Sequence, residues 1–336
     1  MSSITLKKFI NRQDNERFML DEKLFTELEL TLDRIRNHFL YTDELNDRAL
    51  STLNFDAISH SDKLEVDSTS KATHQRLLGA WDISLEHYNG TIDNNLICKV
   101  ASEIDPRVTQ YRNESVRVAG RQEVYVMTNP AKVEREMNKL LAYVNNPDIR
   151  VLERALAFHL YFALIHPLSD GNGRTSRLMQ NMILYHNGIP PVTIKHTERP
   201  TYLDHIEDAT KAFRERSGQD GMFENQSYAE LRFIHYIQGK VNDSAEWLEE
   251  KMSNLRRYEV DVDLRGPRNT ILGIRNVLRK ALVAQGLPPT IQVSHDRTKM
   301  TIVTEQHEEF LVGLLERYKK NSTNLLRYQV KNTTKD

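Results

Sequence analysis

A single cysteine, Cys98, in 336 residues excludes an intramolecular disulfide and a metal site built from cysteines alone, and it fits a reducing compartment. Thirteen glycines and ten prolines are few for this length and favour long helices over a turn-rich all-β fold. Charge of one sign is missing too: 46 Lys+Arg against 47 Asp+Glu leave a net charge of −1, so no bulk field draws the chain to nucleic acid or an anionic membrane. No run approaches the ~20 apolar residues of a membrane span. The start, MSSITLKKFINRQDNERF, lacks the apolar stretch and small-residue cleavage site of a secretory signal. These absences lead to the expectation of a cytoplasmic protein with no membrane partner. A GxxxxGK[ST] loop and an HExxH pair are also absent, which removes two other enzyme classes.

What is present is helical periodicity. Leu24, Leu28, Leu32, Ile35 and Phe39 recur at three- and four-residue spacing. A second helix is predicted over 71–88, and a third over 93–104, stopped by Asp105-Pro106. SVRVAG and EVYVMT are short alternating runs around Gly120 and predict a β-hairpin. Helix resumes after Pro130 with Val133, Met137, Leu140, Leu141 and Val144 on one face. VLERALAFHLYFALI is apolar nearly all round and should be the most buried helix, ending at His166-Pro167. A helix over 174–186 and a long amphipathic one over 228–257, with a break near Gly239 or Asn242, follow. The tail reads as αββα: a helix over 269–285, strands TIQV and MTIV, and a helix over 306–320.

The chemistry is concentrated in residues 166–177, HPLSDGNGRTSR. Gly171-Asn172-Gly173 between two helices is an anion cradle, because free N–H groups at a helix start point one way and glycine lets a phosphate approach. Arg174 and Arg177 are three apart and share a helix face, so two guanidinium forks can grip adjacent phosphates. Asp170 is a hard carboxylate suited to Mg²⁺ shared with those phosphates. His166, with an intrinsic pKa of ~6.5, can take a proton at neutral pH. Each piece has a bland reading: a helix-end histidine, a turn, a solvated arginine face. A base, a metal carboxylate and an anion hole together within twelve residues indicate transfer chemistry on a phosphate ester.

This stretch resembles the signature of the Fic (filamentation induced by cAMP) family, HPFx[D/E]GNGRxxR, with Leu168 where the family usually has Phe. The hairpin VRVAGRQEVYVMTNP after Tyr111-Arg112 resembles the family's flap, and LMQNMILYHNGIPPVTI its next helix and extended segment. The similarity spans about residues 50–215. It implies a mainly α-helical Fic fold with a small β-hairpin flap and a small C-terminal α+β module. It also implies an enzyme that transfers AMP from ATP to a Ser, Thr or Tyr hydroxyl of a target protein and releases pyrophosphate. On that reading His166 deprotonates the hydroxyl and Asp170 positions Mg²⁺. Gly171, Asn172 and Gly173 hold phosphates and developing charge, Arg174 meets the β-phosphate and Arg177 the γ-phosphate. Val124, Tyr125 and Val126 of the flap dock the target segment by strand addition, and Tyr202 either offers its ring to the adenine or packs in the core. Glycine at 173, where phosphate-transferring Doc-like members carry Lys, sides with AMP transfer.

Many Fic proteins carry an inhibitory helix, [S/T]xxxE[G/N]. Ser61 and Glu65 of SDKLEV fit its first five positions, and Val66 departs from the sixth. Glu65 paired with Arg177 would take the place of the γ-phosphate. The implied organisation is an N-terminal helical segment with this motif (1–75), a catalytic core (76–220), a helical extension (221–260) and an αββα module (261–336), of which a winged helix is one form. His159, on the face of His166, reads either as a buried, hydrogen-bonded histidine or as a support of the site, and Cys98 as core. Arg265, Arg268, Arg275, Arg279 and Lys280 make the module's first helix basic, which suits either a solvated face or nucleic acid or an acidic partner. Self-modification and a homodimer are compatible with the sequence. Two rival functions stay open: a Fic-fold hydrolase that removes AMP, alone or together with transfer, and a nucleotide-sensing DNA-binding regulator.

Overall fold

The computed structural model describes residues 19–65, 71–121, 123–216, 222–223, 225–265, 270–283, 287–322 and 324–334. Val66, Arg268, Gly286 and the first eighteen residues, on which parts of the sequence reading fell, lie outside them. No described helix is long and apolar enough to cross a membrane.

The chain divides into two compact units. One holds Asn54–Asn242 with the described residues up to Thr26; the other holds Glu27–Leu53 and the chain from Asp243 onward. The boundaries therefore fall within helices α1 (Glu22–Arg36), α2 (Asp43–Glu65) and α9 (Tyr228–Ser253), and not at a linker. In α1 the apolar stripe buries Leu28, Leu32 and Ile35, but the helix stops at Arg36 and Phe39 lies beyond it, 65% exposed. Helix α9 runs unbroken past Gly239 and Asn242 and ends at Ser253.

The first unit is built around α6 (Val151–Ile165). Every side chain from Ala155 to Phe162 is buried, and Phe158 stacks on Phe162 with ring centroids 5.1 Å apart. A helix apolar all round needs neighbours on all sides; α5 (Pro130–Val144), α7 (Asn172–His186) and α8 (Arg199–Arg216) supply them. Asn129 caps α5, accepting from the Ala131 N–H, and Pro130 opens it, where a missing N–H costs nothing. Valines and leucines 133, 140, 141 and 144 and Met137 form its buried face, as their spacing predicts. Helices α3 (Lys71–His87) and α4 (Asn94–Ile104) pack on each other and on α7. Asp93 caps α4 through the Leu96 N–H at 2.7 Å. Cys98, read as core, is only half-buried on α4. The hairpin pairs β1 (Arg117–Ala119) with β2 (Val124–Val126), antiparallel, Val118 opposite Tyr125.

In the second unit the expected αββα order is present as α10 (Thr270–Val283), β4 (Thr290–Val293), β5 (Lys299–Thr304) and α11 (Glu308–Asn321), but two further strands bracket it. These are β3 (Arg256–Leu264) and β6 (Leu325–Asn332), and the antiparallel sheet runs β4-β5-β3-β6. That is the split βαβ arrangement and not a winged helix. Tyr258, Val260 and Val262 of β3 and Met300 and Ile302 of β5 form one core with Ile274 and Leu278 of α10 and Leu311 and Leu315 of α11. The alternate residues of these strands, Arg257, Glu259, Asp261, Asp263, Lys299, Thr301 and Val303, lie on the other face of the sheet.

Replacing Phe162 by Ala removes a ring with no exposed surface, and its cost should be about 3–5 kcal/mol. Urea denaturation followed by circular dichroism measures it; a loss under about 1 kcal/mol would show that α6 is not the centre of this core.

Candidate active site

The turn from α6 to α7 is shaped by its main chain. His166 closes α6 in the left-handed region, φ 56° and ψ 59°, with its N–H donating to Phe162 O at 2.9 Å. A non-glycine residue there costs roughly 1–2 kcal/mol, so something must hold it. Arg112 does: its Nε donates to His166 O at 2.7 Å, and its main-chain N–H to Pro167 O at 2.8 Å. The same guanidinium donates to Glu114 O and Thr128 O at the two roots of the hairpin, at 2.6 and 2.5 Å. One buried arginine thus ties the turn to the flap. Arg214 of α8 adds bonds to Thr128 Oγ1 and Leu164 O. Burial pushes the His166 imidazole down to about 4, so it is neutral at pH 7 and free to accept a proton.

Gly171, at φ 75°, takes the left-handed conformation that starts α7. The first N–H groups of a helix have no intrahelical acceptor, so they open an anion site here. Asn172 was expected to hold phosphate. Its side chain instead folds back on the turn, accepting from Leu168 N at 2.9 Å and donating to Leu168 O at 3.0 Å. Its amide is spent on shaping the loop, because a buried turn must satisfy its own backbone. Leu168, at the family's Phe position, is fully buried.

Asp170 is half-exposed and accepts from Gly171 N at 2.6 Å, with Arg107 at 3.2 Å and Arg174 at 3.5 Å. Among the described residues no group of three or more His, Cys, Asp or Glu gathers into a metal cage. A lone solvent-facing carboxylate at an anion site fits Mg²⁺, which keeps waters and shares phosphate oxygens. Arg174 has a buried Nε with no hydrogen-bond partner among the described residues.

Arg177 is 6% exposed, and α2 meets most of its donors. Nε donates to Ser61 Oγ at 2.8 Å; Nη2 donates to Ser61 O at 3.1 Å and to Glu65 Oε1 at 2.6 Å. Burial pushes the Glu65 carboxyl up, but the Arg177 charge and hydrogen bond, with Arg174 and His166, outweigh it and hold it below its ordinary value. The carboxylate lies against Gly173, where a Cβ would collide with it. Arg199 fixes the last turn of α2 by donating to Leu64 O at 2.7 Å. Asp62, which the sequence reading passed over, is 1% exposed, and its oxygens have no hydrogen-bond partner among the described residues. Burial pushes its carboxyl up, while Arg174 and His74 pull it down.

The adenine role weighed for Tyr202 is corrected. Tyr202 is 3% exposed, with its hydroxyl on Arg177 and His159, so its ring is not open to an adenine. Along β2 the Tyr125 side chain lies on the opposite face from those of Val124 and Val126. The two valines are 60% and 54% exposed, whereas the Tyr125 hydroxyl donates to Glu207 of α8 at 3.2 Å and to Glu123 at 3.1 Å. Alternation along a strand puts neighbours on opposite faces. Arg121 N–H also donates to Glu207, which pins the hairpin tip to α8. Glu207 was missed because a lone acid on a helix face carries no local signal.

Residues 91–184 match the Fic/DOC family. The chain is 30% identical over 164 residues to the protein adenylyltransferase Fic of Aedes aegypti, covering 44% of this chain and 32% of that protein. It is 31% identical over 162 residues to the protein adenylyltransferase Fic of Nematostella vectensis, covering 44% and 37%. The chain therefore spans about a third of the length of these curated relatives. In fold it is similar to a Fic-domain-containing signalling protein of Bacteroides thetaiotaomicron, with TM-score 0.56, 18% identity and coverage of 68% and 98%. It is also similar to Fic-1 of Caenorhabditis elegans, with TM-score 0.52, 19% identity and coverage of 69% and 73%.

Arg112→Lys keeps the charge but cannot reach three carbonyls with one ammonium. Amide hydrogen exchange over 117–126 should then rise by about tenfold or more, and unchanged exchange would show that Arg112 does not anchor the flap.

Proposed function

We propose that this chain, which carries a Fic domain over residues 91–184, is a protein adenylyltransferase restrained by its own Glu65. The observation that carries the reading is the convergence, at one end of α6 and α7, of a neutral His166, the open first turn of α7 and the side chains of Asp170, Arg174 and Arg177. The names of the curated relatives support it.

In the reaction a target hydroxyl oxygen forms a bond to the α-phosphorus of ATP, the bond from that phosphorus to the β,γ-diphosphate breaks, and pyrophosphate leaves. His166 takes the hydroxyl proton. Its imidazole is poised for this because burial keeps it unprotonated. The N–H groups at the start of α7 stabilise the charge that grows on the phosphate oxygens. Arg174 and Arg177 hold the β- and γ-phosphates. Asp170 would hold Mg²⁺, which neutralises phosphate charge when bound. The exposed edge of the Val124–Val126 strand receives an extended target segment through main-chain bonds. The partners on this reading are ATP and a protein with an exposed hydroxyl.

Glu65 restrains the site by taking Arg177 away from the γ-phosphate and by placing a carboxylate beside Gly173, where an anion belongs. A second reading has its own support. Glu65 is held by Arg177 through Oε1 while its side chain stays 39% exposed, so it is open to a water that it could activate to release AMP from a modified target.

Glu65→Gly should raise self-labelling or target labelling from α-³²P-ATP on the order of tenfold or more, and Glu65→Gly/His166→Ala should abolish it. Equal labelling of wild type and Glu65→Gly sinks the restraint; loss of pre-attached AMP in wild type but not in Glu65→Gly assigns the hydrolytic direction. The pH profile makes a separate test. An imidazole with an ordinary pKa loses about two-thirds of its base form between pH 7 and pH 6. His166, pushed down to about 4, stays in its base form over that range. kcat/KM of Glu65→Gly should therefore be nearly flat from pH 7 to pH 6, and a limb centred near ~6.5 would exclude the buried neutral base.

A further inference from the structure

Behind Arg177 lies a buried polar chain whose direction the main chain fixes. Asn181 Oδ1 accepts from Val192 N–H at 3.0 Å and Asn181 Nδ2 donates to Val192 O at 3.0 Å, so this amide has one orientation. Gln180 Nε2 donates to Asn181 Oδ1 at 3.1 Å, which turns Gln180 Oε1 toward His159 Nδ1, 2.6 Å away. Nδ1 must therefore carry the imidazole proton, since the oxygen facing it can only accept. Burial pushes His159 down to about 3, so the ring is neutral and Nε2 is an acceptor. The Tyr202 hydroxyl, 3.0 Å from Nε2, gives its proton there. Its oxygen is left to accept from Arg177 Nη1 at 3.2 Å. Gln180, Asn181, His159 and Tyr202 are all 5% exposed or less.

The second observation concerns where the partners of Arg177 come from. The bonds from Nε and Nη2 all end on α2, at Ser61 and Glu65. The bond from Nη1 ends on α8, at Tyr202, whose ring centroid lies 5.6 Å from the guanidinium carbon. The Tyr202 bond uses a different nitrogen, on a different helix, from the bond that Glu65 makes.

We propose that Tyr202, backed by His159, Gln180 and Asn181, is a positioning residue that holds the Arg177 guanidinium oriented for the terminal phosphate of ATP when Glu65 is out of the way. The inference rests on the reading of Arg177 given above. Tyr202 does not touch nucleotide: its proton is committed to His159 and its oxygen faces a cation, so it has nothing to offer a phosphate. A single oxygen fed by a fixed proton chain can only accept, and an arginine held from behind by an acceptor keeps its remaining N–H groups pointing forward. Preorganisation of this kind shows as affinity for the γ-phosphate specifically, because ADP has no group at that position.

The test measures dissociation constants for ATP and for ADP, with Mg²⁺, by calorimetry on the full chain carrying Glu65→Gly. Tyr202→Phe deletes one oxygen and keeps the ring. It should weaken ATP about fivefold to tenfold, a hydrogen bond to a charged group, and leave ADP within about twofold. In an Arg177→Ala background the same change should do nothing further. Tyr202→Phe without effect on ATP, while Arg177→Ala lowers ATP but not ADP, overturns the inference and leaves the γ-phosphate role of Arg177 intact. Arg177→Ala that fails to separate ATP from ADP overturns both. Equal weakening of ATP and ADP by Tyr202→Phe marks general damage and also overturns it. If Tyr202→Phe melts early, Gln180→Met, two steps back along the chain, is read in the same assay. It should lower the ATP-to-ADP preference in the same direction, and an unchanged preference overturns the inference.

Discussion

A guanidinium with 6% of its surface left in water has to find acceptors inside the protein, and the arrangement around Arg177 follows from that demand. Helix α2 brings the Ser61 hydroxyl and carbonyl and the Glu65 carboxylate; α8 brings the Tyr202 oxygen. Three helices that are distant in sequence thus meet at one side chain. Removing one acceptor while leaving the charge buried is costly, so the position of α2 is coupled to whatever else can satisfy Arg177. On the function proposed here, the terminal phosphate of ATP is that alternative acceptor, and the same arginine serves both the restrained and the working state.

The neighbouring turn obeys a different constraint. Its geometry is held mostly by main-chain groups: a left-handed His166, a left-handed Gly171 and an Asn172 amide folded onto Leu168. Arg112 connects this turn to both roots of the hairpin. His166, the start of α7 and the hairpin are therefore placed by one hydrogen-bonded frame resting on α6, whose rings are fully buried. Burial also sets the chemistry, since the same dehydration that packs α6 keeps the His166 imidazole unprotonated.

Much of the first unit was legible in the residues. The helix over 151–165, the capped helix after Pro130 and the hairpin around Gly120 have strong local signals, and the structure places them there. The chain 166–177 and the SxxxE spacing named His166, Asp170, Arg174, Arg177, Ser61 and Glu65 as one site, and the structure brings all of them together. The errors share a cause. Tyr202 and Asn172 carry residue types that suit ligands, but each side chain has a partner from a distant segment or from its own turn. In the second unit, Tyr258, Val260 and Val262 alternate as a strand should, but the helix predicted over 228–257 ran into the start of that strand and the residues after it were given no element. The strand β6 was passed over beside the polar tail, because exposed edge residues such as Arg327 and Lys331 dilute its pattern.

The sequence by itself determined the helix-rich class, the buried α6, the hairpin and the clustering of polar and charged residues over 166–177, because periodicity and motif spacing are local and survive without neighbours. Only the tertiary structure decided which of those side chains stay open and which are taken up by the protein. It showed that Glu65 rests against Gly173 and on Arg177, that Tyr202 looks inward to His159, and that two more strands complete the C-terminal sheet. Those facts depend on pairings between segments as far apart as 112 residues, the separation of Glu65 from Arg177. A buried donor is satisfied by whichever acceptor the fold carries to it, and no local pattern specifies that choice.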